Sequence, residues 1–240
     1  MQVCISSPAY LTQAAAGGGG GPPVFDNANS VTGLAVANVT TSAWVIGGSN
    51  RLLVAGMGWG SGTPPTYSAI KWEGSGGASL TQIGATLSLG AFARLAMARL
   101  IAPNAVSGTL YGELSGTTDE ICLGGVSVTG AHQTTPLGSE ATNSAQTFTS
   151  PATATVDVTS ATGDLVIDFC FAIQSDAGTV TVAVGGGQTM HWEQENIGGG
   201  FEVGTQSTEP GAGTVTMSEI ITFNQAGLDW GIMGVSIKPA

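Results

Sequence analysis

One strand-turn-strand signature is written twice in this chain. In the first half, Arg51-Leu52-Leu53-Val54-Ala55-Gly56 leads by way of Gly108-Thr109-Leu110-Tyr111-Gly112 to Gly125-Val126-Ser127-Val128. In the second, Asp164-Leu165-Val166-Ile167-Asp168-Phe169 leads by way of Gly213-Thr214-Val215-Thr216-Met217 to Gly234-Val235-Ser236-Ile237. The order is kept and the spacing drifts only slightly. Self-similarity of this kind implies an old doubling, with two similar all-β halves joined in one two-layer body. A near-symmetric doubling with no evident local break favours scaffolding or binding over chemistry.

Strict alternation in Thr153-Ala154-Thr155-Val156-Asp157-Val158 and Thr179-Val180-Thr181-Val182-Ala183-Val184 marks strands with one face on a core. The 38 glycines follow no triplet period and fall between apolar runs, as in Gly47-Gly48-Ser49-Asn50 and Gly185-Gly186-Gly187. About fourteen to sixteen strands fit the pattern, enough for two stacked sheets with jelly-roll or Greek-key connections. The expected fold is therefore all-β: a two-sheet, jelly-roll-like β-sandwich of two similar halves, with an extended N-terminal arm. The body is assigned to residues 24–240 as a single domain, with pseudo-repeats at about 31–138 and 145–240. Ala91 to Ile101 has helical propensity, yet its counterpart near Phe201 to Thr205 reads as extended and Pro103 closes it, so it is assigned as a strand.

Residues 1–23 read as an arm and hinge, with Gly17 to Gly21 flexible and Pro22-Pro23 extended. Val3, Ile5, Tyr10 and Leu11 give the arm apolar surface to bury on a partner, too little to fold alone. The first residues lack the basic and long apolar regions of a secretory signal. No apolar run approaches the length of a membrane-spanning helix.

Charged residues are only 9% of the chain, and five bases stand against sixteen acids, for a net charge of −11. The bases form no run, which argues against nucleic acid as a partner. Of Cys4, Cys122 and Cys170, the last two fall at apolar strand positions and are expected as buried thiols.

Hydrolase, zinc-protease and P-loop signatures are missing, so no catalytic residue, metal ligand or cofactor site is assigned. Glu193 and Glu195 share a strand face next to Trp192. Glycosidases need carboxylates opposed across a cleft, so a solvated strand face is the expectation. Asp26-Asn27-Ala28-Asn29 and Asp119-Glu120 are oxygen-rich and are expected as Asx-type turns rather than calcium loops. Trp44 and Trp230 lie in apolar surroundings and are expected in the core. Trp59 and Trp72 flank Thr63-Pro64-Pro65-Thr66 and are the candidates for exposed contact with a glycan.

The run Val126-Ser127-Val128-Thr129-Gly130-Ala131-His132-Gln133-Thr134-Thr135-Pro136-Leu137-Gly138 carries a resemblance, as do Leu100-Ile101-Ala102-Pro103, Gly163-Asp164-Leu165-Val166-Ile167 and the ending Gly234 to Ala240. Together they resemble a widespread β-sandwich module of bacteriophage virion proteins and bacterial surface proteins, over roughly residues 50–240. In that module an acidic residue commonly precedes the glutamine, and here His132 stands in its place. The resemblance implies a structural or adhesive role with no catalytic motif; together with the doubled β-body, the arm, the missing signal and the sparse acidic charge, the expectation is a non-enzymatic virion structural protein, above all a capsid decoration or cement protein on the particle exterior. Its partners would be copies of itself and a major capsid or tail protein, with no membrane and no nucleic acid. The alternative is a carbohydrate-binding or adhesive module of a phage tail, fibre or cell surface, with surface glycans as partners.

Overall fold

A computed structural model describes residues 21–240; the arm residues Val3, Ile5, Tyr10 and Leu11 lie outside the described range. The first half of the chain forms β1 (Val24–Thr40), β2 (Trp44–Val45), β3 (Leu52–Gly60), β4 (Tyr67–Trp72), β5 (Ala78–Ser79), β6 (Thr81–Leu89), β7 (Ala93–Ile101), β8 (Ser107–Gly108) and β9 (Leu110–Thr129). The second forms β10 (Leu137–Thr147), β11 (Ala152–Thr159), β12 (Leu165–Gln174), β13 (Val180–Val184), β14 (Thr189–Asn196), β15 (Glu202–Pro210), β16 (Thr214–Phe223) and β17 (Leu228–Ile237). The strand count passes the expected range because β2, β5 and β8 are two-residue ladders that no periodicity can announce. Ala93–Ile101 is a strand despite its helical propensity, since its apolar side chains are needed on both faces of a covered sheet.

In the second half the sheet β10-β17-β12-β15-β14 lies over β11-β16-β13. With the first strand beside the last and the second beside the seventh, these eight strands wind as a jelly roll. Val156, Val158, Val166, Cys170, Met217 and Ile221 fill the space between the two sheets.

The first half repeats that wind with fewer, longer strands. The front of β1 and the rear of β9 build the order β1-β9-β3-β7-β6. The rear of β1 and the front of β9 then pair again beside β4 in the facing layer. The change of layer falls at a register shift between Val36 and Asn38, next to Ala35 at φ 53. Bulges of this kind let one strand turn a corner from sheet to sheet. Thus β1 does the work of β10 plus β11, and β9 that of β16 plus β17. The registers agree strand for strand: Leu52 pairs with Ile101 and Val128, and Leu165 with Pro210 and Ile237. The repeats begin at Val24 and Leu137, each seven or eight residues earlier than the sequence pattern suggested. Leu53, Met57, Trp59, Trp72, Leu110 and Leu123 fill the first roll.

The expected two-sheet roll is therefore present twice, and the halves stack as four layers instead of sharing one pair of sheets. The larger sheets meet by their outer faces around a third core that includes Leu52, Val54, Phe169, Phe171, Val235 and Ile237. Gly56, Gly58 and Gly60 of β3 face this seam on alternate residues. A Cβ at Gly56 would enter the Phe169 ring, one at Gly58 the Phe171 ring, and one at Gly60 would strike Ile173 and Glu202. Counting from Leu52 and Leu165, those three glycines occupy the positions that Phe169, Phe171 and Ile173 occupy in the other half. The doubling has diverged into hole and knob. Each buried phenylalanine contributes about 1.5–3 kcal/mol to the seam. Along its edges, Phe25 stacks on His191 at 3.8 Å and Gln194 donates to the Ser30 hydroxyl at 2.9 Å.

Candidate functional site

The two candidate glycan contacts are core residues. Trp59 is 0% and Trp72 1% exposed. The Trp59 indole donates to the Pro65 carbonyl at 2.9 Å, and Trp72 packs edge-on against Trp44. Both sit on strand positions whose face turns into the first roll; the Pro-Pro loop holds the Trp59 indole, and Gly108 lies against the Trp72 ring. Trp44, Trp230, Cys122 and Cys170 are buried as the sequence suggested.

Oxygen-rich Asp26 to Asn29 form no turn. They lie on β1 and staple the 42–47 segment to it: Asn29 donates to Ser42, Asn27 to the Val45 carbonyl, and Asp26 accepts the Gly47 N–H and the Ser127 hydroxyl. Asp119-Glu120 likewise belong to a strand, β9. Glu193 and Glu195 are exposed on β14, and Glu195 accepts the Val182 N–H at 2.8 Å. His132 Nδ1 accepts the backbone N–H groups of Thr134 and Thr135, so the imidazole fills the acceptor role that a carboxylate plays in an Asx turn. His191, buried against Phe25, has its pKa lowered to about 4 and is neutral at pH 7.

The doubling does contain a break, and it is internal. Where the first roll has Ala55, Ala98 and Leu114, the second has Asp168, Ser207 and Glu219, and Asp168 and Glu219 are 0% exposed. Asp168 Oδ1 accepts both the N–H and the hydroxyl of Ser207, while Gln188 spans Ser207 and the two carboxyl groups. Burial raises Asp168 to about 6, against those hydrogen bonds. Burial and the neighbouring Asp168 charge raise Glu219 to about 10. The pair holds one proton at neutral pH. Neither carboxyl has surface for a substrate to reach, so this cluster is structural.

The best-formed concavity lies where the seam between the rolls opens at one end, with a volume of about 460 Å³. Its lining is drawn from matching positions of both halves. Gly60 pairs with Ala93 and Glu120, and Ile173 with Glu202 and Asp229. Phe92 therefore corresponds to Phe201, Glu120 to Asp229 and Ser61 to Gln174, and all six line the cleft. Asp119, Ile173 and the rim residue Phe148, which is 72% exposed, complete the working surface. The turn Ile197–Gly200 sets Phe201 in place. Gly200 holds φ 95 against the Gly178 backbone, where a side chain would collide, and its carbonyl accepts from Gln174.

Electrostatically the cleft is one-sided. Among the described residues its lining holds no lysine or arginine. Arg94 lies on the adjoining strand, and its guanidinium goes to the carbonyls of Ala93 and Gly90. Burial raises the pKa of Glu120, with Asp119 adding repulsion, and burial raises that of Asp229. Glu202, 0% exposed between Gly60 and Ile173, is raised well above the carboxylate range by burial and then by Glu120 and Asp119. Neither Glu202 oxygen nor Gln174 Oε1 has a hydrogen-bond partner among the described residues. No group of three or more His, Cys, Asp or Glu among the described residues is arranged to hold a metal ion.

No protein-family model matches the chain, and no curated protein does. Among solved structures, that of Cucumber Necrosis Virus aligns with 96% of this chain and 94% of its own at 10% identity, with a TM-score of 0.24. A likeness at that level carries no argument.

The duplicated strand phrases were visible in the sequence, but the cleft was not. One signal for it was present: Gly56-Met57-Gly58-Trp59-Gly60 puts three glycines on one strand face, which weakens a strand unless something packs closely against it.

Proposed function

We propose that the chain is a non-enzymatic structural protein of bacteriophage particles, a decoration subunit on the outside of the capsid. The observation that carries the reading is the double jelly roll welded through its larger sheets. Three apolar cores sit under a surface of few charges, and the doubling is spent on rigidity and complementarity. Jelly rolls serve in viral capsid and lectin domains, where a stiff body presents loops at its ends. The adhesive alternative rested on Trp59 and Trp72, and their burial removes its contacts.

The first described strand begins at Val24, and residues 1–23 are the segment proposed to mount the body. Val3, Ile5, Tyr10 and Leu11 are the residues of that segment proposed to pack on a neighbouring subunit or capsid protein. Deleting residues 1–21 leaves a folded, soluble body that no longer joins the particle. Full occupancy by the truncated protein would refute the mechanism. Neighbouring genes for secretion or polysaccharide use, instead of capsid, portal or tail proteins, would refute the virion reading itself.

A further inference from the structure

We propose that the cleft at the mouth of the seam binds an organic cation, an ammonium or guanidinium group carried on an apolar stem. Three independent features converge on that class. The first is shape and lining: about 460 Å³, walled by Phe92, Phe148, Phe201 and Ile173, is the size and character of a small-ligand site. The second is charge: Glu120, Asp119 and Asp229 line the cleft with no basic side chain of the lining to neutralise them. The third is unmet hydrogen bonding. Gln174 Oε1, in the lining and on a residue 2% exposed, has no donor among the described residues.

The unmet group of the lining, Gln174 Oε1, is an acceptor, so the missing partner is a donor. A donor that is also positive offsets the burial and the Asp119 repulsion that raise the pKa of Glu120. The phenylalanine faces take the stem and add cation–π attraction.

The same chemistry is offered by a free alkylamine and by a lysine side chain of a partner protein. Titration calorimetry on the full chain with n-hexylamine, with an acetylated and amidated lysine tripeptide, and with n-hexanol separates them. Tighter binding of the amine than of the peptide assigns a small-molecule site, and the reverse assigns a lysine side chain. Either order supports the proposal. Hexylamine binding should weaken at least tenfold in Glu120→Gln and again in Asp229→Asn, and weaken in high salt. Glu193→Gln, at an exposed position outside the lining, should bind as the parent does. Because Phe148 is exposed, Phe148→Ala folds regardless, and it should lower affinity for the stem severalfold. Hexanol binding as well as hexylamine, failure of hexylamine and the peptide to bind at about 10 mM, or a neutral saccharide binding where the amines do not would each overturn the proposal.

Discussion

Gly56 and Gly58 hold this molecule together by what they lack. Each faces a phenylalanine ring of the opposite half so closely that no Cβ fits. Gly58→Ala forces the Phe171 ring or the β3 backbone to shift, and overpacking of this kind costs about 1–3 kcal/mol. The denaturant midpoint should fall accordingly, and Phe171→Leu in the same chain should recover part of the loss. A neutral Gly58→Ala would mean that the two sheets are not packed as described. At the 132–135 turn, His132→Asp should retain stability because an acceptor is kept. His132→Ala, which leaves the Thr134 and Thr135 N–H groups without their partner, should cost about 1 kcal/mol.

Among the elements, the pairing scheme was the most legible. Leu52 and Leu165, and Val126 and Val235, were matched by sequence, and their strands occupy matching places in the two rolls; Gly108 and Gly213 were matched as well and precede β9 and β16. Period-two alternation carries that information because it reports which face of a strand is covered. It cannot report what covers a strand buried on both faces. For that reason β3, apolar or glycine throughout, gave no hint that Leu53, Met57 and Trp59 point into one core while Leu52 and Val54 point into another. The misreading of Trp59 and Trp72 has the same origin. A flanking Pro-Pro loop suggests exposure, but burial is decided by layers that only the fold supplies. Likewise Gln174 and Asp229, which complete the cleft, are distant in sequence from Glu120. If the shared seam is as described, neither roll is complete alone. A chain of residues 24–136 should aggregate or self-associate through its exposed β3-β7-β9 face, and adding residues 137–240 in trans should restore a monodisperse complex. A stable, monomeric half would contradict a seam that is essential to both.

At the scale of the molecule, the buried acids tie stability to pH. Asp168 and Glu219 have folded-state values of about 6 and about 10, both above the ordinary carboxylate value of about 4. The folded state therefore binds more protons than the unfolded chain between those values. Their contribution to stability is fully present below about pH 4 and is lost as the pH rises through 6 and on toward 10. The melting temperature should be higher at pH 5 than at pH 9 by more than about 4 °C. Glu219→Gln should flatten that decline, because an amide cannot ionise beside Asp168. A melting temperature that rises from pH 5 to pH 9 would contradict the placement of these carboxyl groups.

Two rolls welded back to back on a short leading segment form a body suited to being mounted in many copies. The direct test is the composition of purified phage particles from a host producing this chain, by quantitative mass spectrometry with immunogold labelling of the intact particle. The account predicts the chain in fixed proportion to the major capsid protein, with label over the head exterior. Particles free of the chain, with the protein recovered instead from the cell envelope or the medium, would contradict it.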